Sequence, residues 1–286
     1  MTVETYRHSG GIGALGIPLM CLGGGLTTVT LGVAYAYALA WIPFVYVSFL
    51  LTAGFGALVG LVVGICAKLG KVRNPLVAGI IGVFCAILGL YVAWAFDALA
   101  RFGSDEIPGP MFAPDLLVEY IKYFYEEGFW GIGRANATVS GMFLAAIWAA
   151  EAIVLIGLAW LLSSGFISTH PFCENCQTWT NQSEGIAKIN PPHGDVSVIE
   201  QLCDGQIDAI SKFKLCDPEA ADYIRIDTAI CPTCTESNFV SVYVVETTQD
   251  KDGNNKVESK PLKQNMIVSS EETQRLSSIL EELSAT

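Results

Sequence analysis

Four stretches are too long and too apolar to be the core helices of a water-soluble fold: residues 17–40, 44–67, 75–96 and 141–162. A bilayer core about 30 Å thick is spanned by about 20 helical residues rising about 1.5 Å each, so every stretch is long enough to cross. The first two carry no Asp, Glu, Lys or Arg, and the fourth carries a single charge, Glu151. In hydrocarbon a backbone has to satisfy its own hydrogen bonds, which makes helices the expected form. The chain is therefore read as an α-helical membrane bundle of about four transmembrane helices, with residues 163–286 forming a separate domain.

Charge supports that division. Residues 1–162 hold seven basic and nine acidic side chains, and residues 163–286 hold nine basic and nineteen acidic ones. Such an acidic tail argues against nucleic acid as a partner, because neutralising phosphates supplies much of that affinity. Orientation follows from the short loop after the second stretch, where Lys68, Lys71 and Arg73 have no acid beside them. Basic loops stay in the cytoplasm. The expectation is a multi-pass protein of the cell (inner) membrane, with both termini and the tail cytoplasmic and residues 97–140 outside. The first stretch is too long for a signal-peptide core, so it is read as retained. Pro43 separates the first two stretches and predicts a tight turn there, with Trp41, Phe44 and Tyr46 at headgroup level.

The outer segment is not featureless. Leu116, Leu117, Tyr120, Ile121 and Phe124 recur at helical spacing after Pro114, predicting an amphipathic helix over about 114–127 that lies on the membrane or on the bundle. Asp97, Arg101, Asp105 and Glu106 form a polar group at its start, read as a boundary charge cluster rather than a catalytic site. Gly11, Gly13 and Gly16 fit a dinucleotide-loop pattern, but a long apolar helix follows instead of a strand–turn–helix unit, and the reading is rejected. Gly23, Gly24 and Gly25, and Gly56, Gly60 and Gly64, let helix backbones approach closely. They predict packing within the bundle, with a homo-oligomer seam as the second reading.

Glu151 is the sharpest feature of the apolar half. A carboxylate at that depth costs a few kcal/mol, so it is expected to be protonated or to bond toward the bundle interior, with Thr27, Thr28, Thr30 or Thr52 at similar depth. The functional reading is a proton or cation relay. The alternative is interhelical glue.

Nine cysteines divide by place. Cys21, Cys66 and Cys85 lie in the apolar stretches, where a thiol acts as a small apolar group. In the tail, Cys173 and Cys176 form one C-x-x-C pair, and Cys231 and Cys234 another. Each pair offers two thiolates to one tetrahedral ion, and two pairs make the closed shell of structural zinc, with iron as the minor alternative. A reducing compartment favours metal over disulfides. Cys203 and Cys216 are read as buried thiols, and His170 and His193 as ligands only if a cysteine of the four is not one.

These pairs make the tail resemble a zinc ribbon over about 50 residues. That family often reads C-P-x-C-G at each turn. Here Cys231-Pro232-Thr233-Cys234 keeps the proline, while Gln177 and Thr235 stand where the glycines would be. The 54 residues between the pairs imply an insertion, read as one or two short helices within 190–216, broken at Asp204-Gly205. The architecture also looks like bacterial multi-span membrane proteins of unassigned activity that carry such a tail. The expected fold of the tail is thus a small α+β zinc-ribbon-like domain. Alternating Ile224, Ile226, Thr228 and Ile230 predict a strand into Cys231, residues 239–248 a second, and residues 256–268 a third across a turn at Asp252-Gly253. Ser269 and Glu272 form a capping-box start for a last helix whose face of Leu276, Ile279, Leu280 and Leu283 is expected to pack on the domain.

Two function classes follow. The first is a membrane-anchored interaction or assembly module with a structural zinc site and a protein partner at the cytoplasmic domain. The second is a small transporter or channel subunit that uses Glu151 to couple a proton or cation. No Ser/His/Asp set and no open metal motif argues for an enzyme.

Overall fold

The computed structural model describes residues 3–42, 44–102, 113–131, 138–190, 196–216, 220–234, 236–249 and 255–284. The expected turn at Pro43, the acids Asp105 and Glu106, His193, Thr235 and the turn at Asp252-Gly253 lie outside the described residues. The chain divides into two compact units, Ser9–Thr169 and a second formed by Met1–His8 with His170–Thr286.

The first unit is built on four long helices: α1 (Gly16–Trp41), α2 (Val45–Leu69), α3 (Pro75–Phe102) and, later in the chain, α5 (Gly141–Ser168). All four are long and apolar enough to cross a membrane. Two run further than the apolar stretches that announce them, because polar side chains are satisfied locally. In α3, Arg101 reaches back one turn to Asp97, Nε to Oδ2 at 3.0 Å. In α5, Ser163 and Ser164 donate to the carbonyls of Ala159 and Trp160 four residues earlier, at 2.6 and 2.7 Å. A hydroxyl bonded to its own helix carries little penalty in an apolar setting.

Glycines set the α2–α5 contact. A Cβ at Gly56 would stand 2.5 Å from the Leu155 carbonyl oxygen, and one at Gly60 would stand 2.8 Å from that of Ala159. The stripe is thus filled by α5, the packing expected within the bundle. The Gly11–Gly16 run lies against the α2–α3 connection, with Arg73 N–H donating to the Gly11 carbonyl at 2.8 Å. That places protein where a phosphate would have to sit.

The amphipathic helix predicted over about 114–127 is α4 (Pro114–Glu127), opened by a proline at its first turn. Leu117 and Tyr120 are buried with Ala98 of α3, and Tyr91, Trp94 and Phe124 close around them. The helix therefore packs on the bundle. Two short strands, β1 (Trp130–Gly131) and β2 (Thr138–Val139), pair antiparallel and lead into α5.

The second unit opens with a hairpin of β3 (Phe172–Cys173) and β4 (Thr178–Trp179). It continues with β5 (Asn181–Ile189), α6 (Val196–Cys203), a 3-10 turn (Ile207–Lys212), β6 (Tyr223–Ile230), β7 (Asn238–Gln249), β8 (Asn255–Val268) and α7 (Ser270–Ser284). The last four strands form one antiparallel sheet in the order β5-β6-β7-β8. Its buried face carries Ile189, Ile224, Ile226, Val240, Val242 and Met266, and it meets Leu202, Ile210, Leu276 and Ile279 from the helical segments. The insertion thus supplies core: Leu202 and Ile210 are fully buried, a gain of about 1.5–3 kcal/mol each.

The capping box of α7 is closed in both directions. Ser269 N–H donates to Glu272 Oε2 at 2.7 Å, and Glu272 N–H to Ser269 Oγ at 3.2 Å. The N-terminal segment adds to the sheet. Residues near the start of the chain dock on the outer edge of β8: Thr5 bridges Met266, Tyr6 N–H donates to the Asn265 carbonyl at 2.8 Å, and Ile267 N–H donates to that of Glu4 at 3.0 Å. Val3 packs on the core.

Candidate functional site

Two hairpins bring the tail cysteines together. The turn between β3 and β4 carries Cys173 and Cys176, and the turn between β6 and β7 carries Cys231 and Cys234. In the first turn Phe172 pairs with Trp179, their rings edge to face at 4.9 Å, which pins the base of the hairpin. In the second, Ile230 pairs with Asn238, and Cys231 N–H donates to the Ser237 carbonyl at 3.1 Å. Each turn folds its backbone over its leading sulfur: the amide of Cys176 lies 3.4 Å from Cys173 Sγ, and the amides of Thr233 and Cys234 lie 3.4 Å from Cys231 Sγ.

All four Sγ atoms lie within 4.8 Å of one another, and Cys173 and Cys234 are 3.6 Å apart. A tetrahedral zinc ion with Zn–S of about 2.3 Å separates its sulfurs by about 3.8 Å. The donor set fits such an ion with only a small contraction. Cys173 and Cys231 are buried, while Cys176 and Cys234 are half-buried. The backbone amide of Glu236, and then the hydrogen bond from Cys176, draw the Cys234 thiol down to about 6. The same Cys234 bond pushes Cys176 up to about 12. A bound cation would replace the hydrogen bond that these two sulfurs share. Among the described residues, Cys203 and Cys216 stand outside this group, and no histidine joins it.

Gln177 follows the first pair at φ +51°, in the left-handed region. That is where the ribbon pattern has glycine. The side chain adapts by donating from Nε2 to the Glu174 carbonyl at 2.6 Å, within the same turn.

The buried carboxylate of α5 finds partners that sequence reasoning had only partly named. Ser48 of α2 donates to Glu151 Oε1. Tyr35 of α1 lies 3.4 Å from Ser48 Oγ and shares a 2.8 Å hydrogen bond with Thr52. Thr52, expected as a partner of Glu151, connects to it only through Tyr35 and Ser48, neither of which was expected. Thr28 is fully buried, but its hydroxyl has no partner among the described residues. Thr30 donates to the Leu26 carbonyl of its own helix, at 2.9 Å. Of the polar group read at 97–106, Asp97 and Arg101 are joined by Tyr120 of α4, whose hydroxyl donates to Asp97 Oδ2 at 2.6 Å. Burial first, then the Asp97 charge, raise the Tyr120 phenol above its usual range and keep it a donor.

Asp97 and Glu151 both line one cavity of about 50 Å³, with Tyr35, Trp94, Phe129 and Trp148 among its walls.

Comparison with known proteins returned no matching family model, no matching curated protein and no matching solved structure.

Proposed function

We propose that this chain is a multi-pass membrane protein whose cytoplasmic domain holds one structural zinc ion in Cys173, Cys176, Cys231 and Cys234 and serves as a docking or assembly module for a protein partner. The observation that carries the reading is the mutual approach of four thiols from two separate hairpins, within 4.8 Å. Four protein sulfurs fill a tetrahedral shell and leave no position for substrate, so the metal's work is to staple the two hairpins together. Softness of the ligands selects zinc, with iron as the minor alternative.

The side of the membrane is argued from charge and from connectivity. Lys68, Lys71 and Arg73 flank the α2–α3 connection, which favours the cytoplasm for that end. Met1–His8 belong to the same unit as His170–Thr286, which supports placing both ends of the first unit on one side of the membrane. An even number of crossings does this, and four candidate spans supply it.

Metal analysis of the purified full chain is expected to give about one zinc per chain, lost in Cys231→Ser. In-cell crosslinking of the tail with mass spectrometry is expected to recover partners that this variant no longer captures. Zinc-free wild-type protein, or an unchanged partner set in Cys231→Ser, overturns the reading.

A second reading, a transporter or channel subunit coupled through Glu151, is favoured by the hydroxyl chain Thr52–Tyr35–Ser48 that ends on this carboxylate beside a cavity. Cation flux in liposomes that Glu151→Gln abolishes tests it.

A further inference from the structure

In the second unit an open cleft lies between the second cysteine hairpin and α7. Cys231 and Cys234 bound it on one side, and Thr273, Gln274 and Ser277 bound it on the other. Its volume is about 160 Å³. A space of about 150 Å³ holds one benzene-sized group, so the cleft has room for a single planar side-chain head. No Lys or Arg is among the described residues that line it. Arg275, the basic residue of α7, is paired instead with Asp208, Nε to Oδ1 at 2.6 Å.

Hydrogen bonding and charge together say what enters. Thr273 Oγ1 donates to the Ser269 carbonyl at 2.9 Å, and Ser277 Oγ donates to that of Thr273 at 3.2 Å. A hydroxyl has a single proton, so both oxygens are left to the cleft as acceptors, which suits a group rich in N–H donors. The field has one sign. Four thiolates around one Zn2+ carry two formal negative charges. Glu236 lies in the same hairpin turn, and Glu271 and Glu272 offset the positive end of α7 in its first turn. Residues 163–286 as a whole hold nine basic and nineteen acidic side chains. Such a field repels an anion and draws a cation in.

We propose that the cleft between the second cysteine hairpin and α7 receives an arginine side chain from a basic segment of a protein partner. A guanidinium is planar, carries five N–H donors and is more weakly hydrated than an ammonium. It matches the room, the acceptors and the sign of the field. The inference rests on the zinc reading above and gives the partner in that reading its chemistry: a basic segment docks beside the metal centre.

Fluorescence anisotropy of a labelled acetyl-(Gly-Ser-Arg)3 peptide with the purified full chain in nonionic detergent tests it. The control is the same peptide with citrulline, which keeps the shape of arginine and loses its charge. Zinc content is measured on every sample. Saturable binding of the arginine peptide is expected, weakened about tenfold with citrulline. Ser277→Arg and Gln274→Arg each place a cation of the chain's own in the cleft, while Ser259→Arg adds the same charge on β8, outside it. Ser277 and Gln274 are both exposed, and each variant is expected to weaken binding about tenfold more than Ser259→Arg does, so one folded variant suffices. Zinc-loaded wild type that does not bind, equal binding of the citrulline peptide, or a cleft variant that behaves as Ser259→Arg overturns the inference. Wild type without zinc overturns the metal reading itself and takes the inference with it, so the two failures are told apart.

Discussion

Single residues decide how well each site is held. Gln177 is the plainest case, because its backbone sits where a Cβ is disfavoured by about 1–2 kcal/mol and its own side chain mends the turn. Gln177→Gly is expected to keep the full metal content, while Gln177→Val, β-branched and without the amide, is expected to destabilise the domain by about 1–2 kcal/mol in denaturant titrations followed through metal release. The cysteine pairs and Glu151 were legible in the sequence because their chemistry is intrinsic: C-x-x-C spacing presets two ligands, and a carboxylate in a 28-residue apolar helix is conspicuous. Their partners were not. Ser48 reaches Glu151, and Tyr35 reaches Ser48, only through the way α1, α2 and α5 pack, and periodicity within one helix carries no information about rotation between helices. The bond from Tyr120 to Asp97 depends likewise on where α4 lands.

At the scale of elements, the helices and the longer strands follow from pattern. α4 matches its predicted span, and α7 begins at the capping box foreseen from Ser269 and Glu272. The strand β5 escaped because its pattern is weak: Asn181-Gln182-Ser183-Glu184 is polar, only Ala187 and Ile189 are buried, and the pairing is interrupted at Gly185, where φ is +64° and the amide donates to Asp227 at 2.7 Å. A bulge of this kind breaks the period-2 signal by which strands are recognised. The glycine stripe of α2 gives a direct test of helix packing. Gly60→Val forces a side chain into the Ala159 backbone, 2.8 Å from its carbonyl oxygen, and is expected to cost about 1–3 kcal/mol and to lower folded yield in detergent. Gly54→Ala meets nothing within 4 Å and is expected to leave the yield unchanged.

For the molecule as a whole, a metal held as proposed would couple fold to conditions. Zinc binds thiolates, so protons compete with it. Metal is expected to be held at neutral pH and released as the pH falls, with the sheet signal in circular dichroism decaying over the same range, and a chelator at neutral pH is expected to reproduce the change. Retention of zinc and structure down to strongly acidic pH sinks the four-thiolate assignment. Removing residues 1–8 is expected to destabilise the tail by about 1–3 kcal/mol although no ligand is lost, because the edge bonds to β8 and the packing of Val3 go with them. Thermal unfolding of the variant against wild type checks it.

That edge also sets an order of events. The ribosome delivers Glu4 and Tyr6 long before Asn265 and Ile267 exist, so their backbone groups wait while the four long apolar helices are made. The sheet is therefore finished only after Val268 has been made. A chain stopped before that point keeps its first residues without their edge.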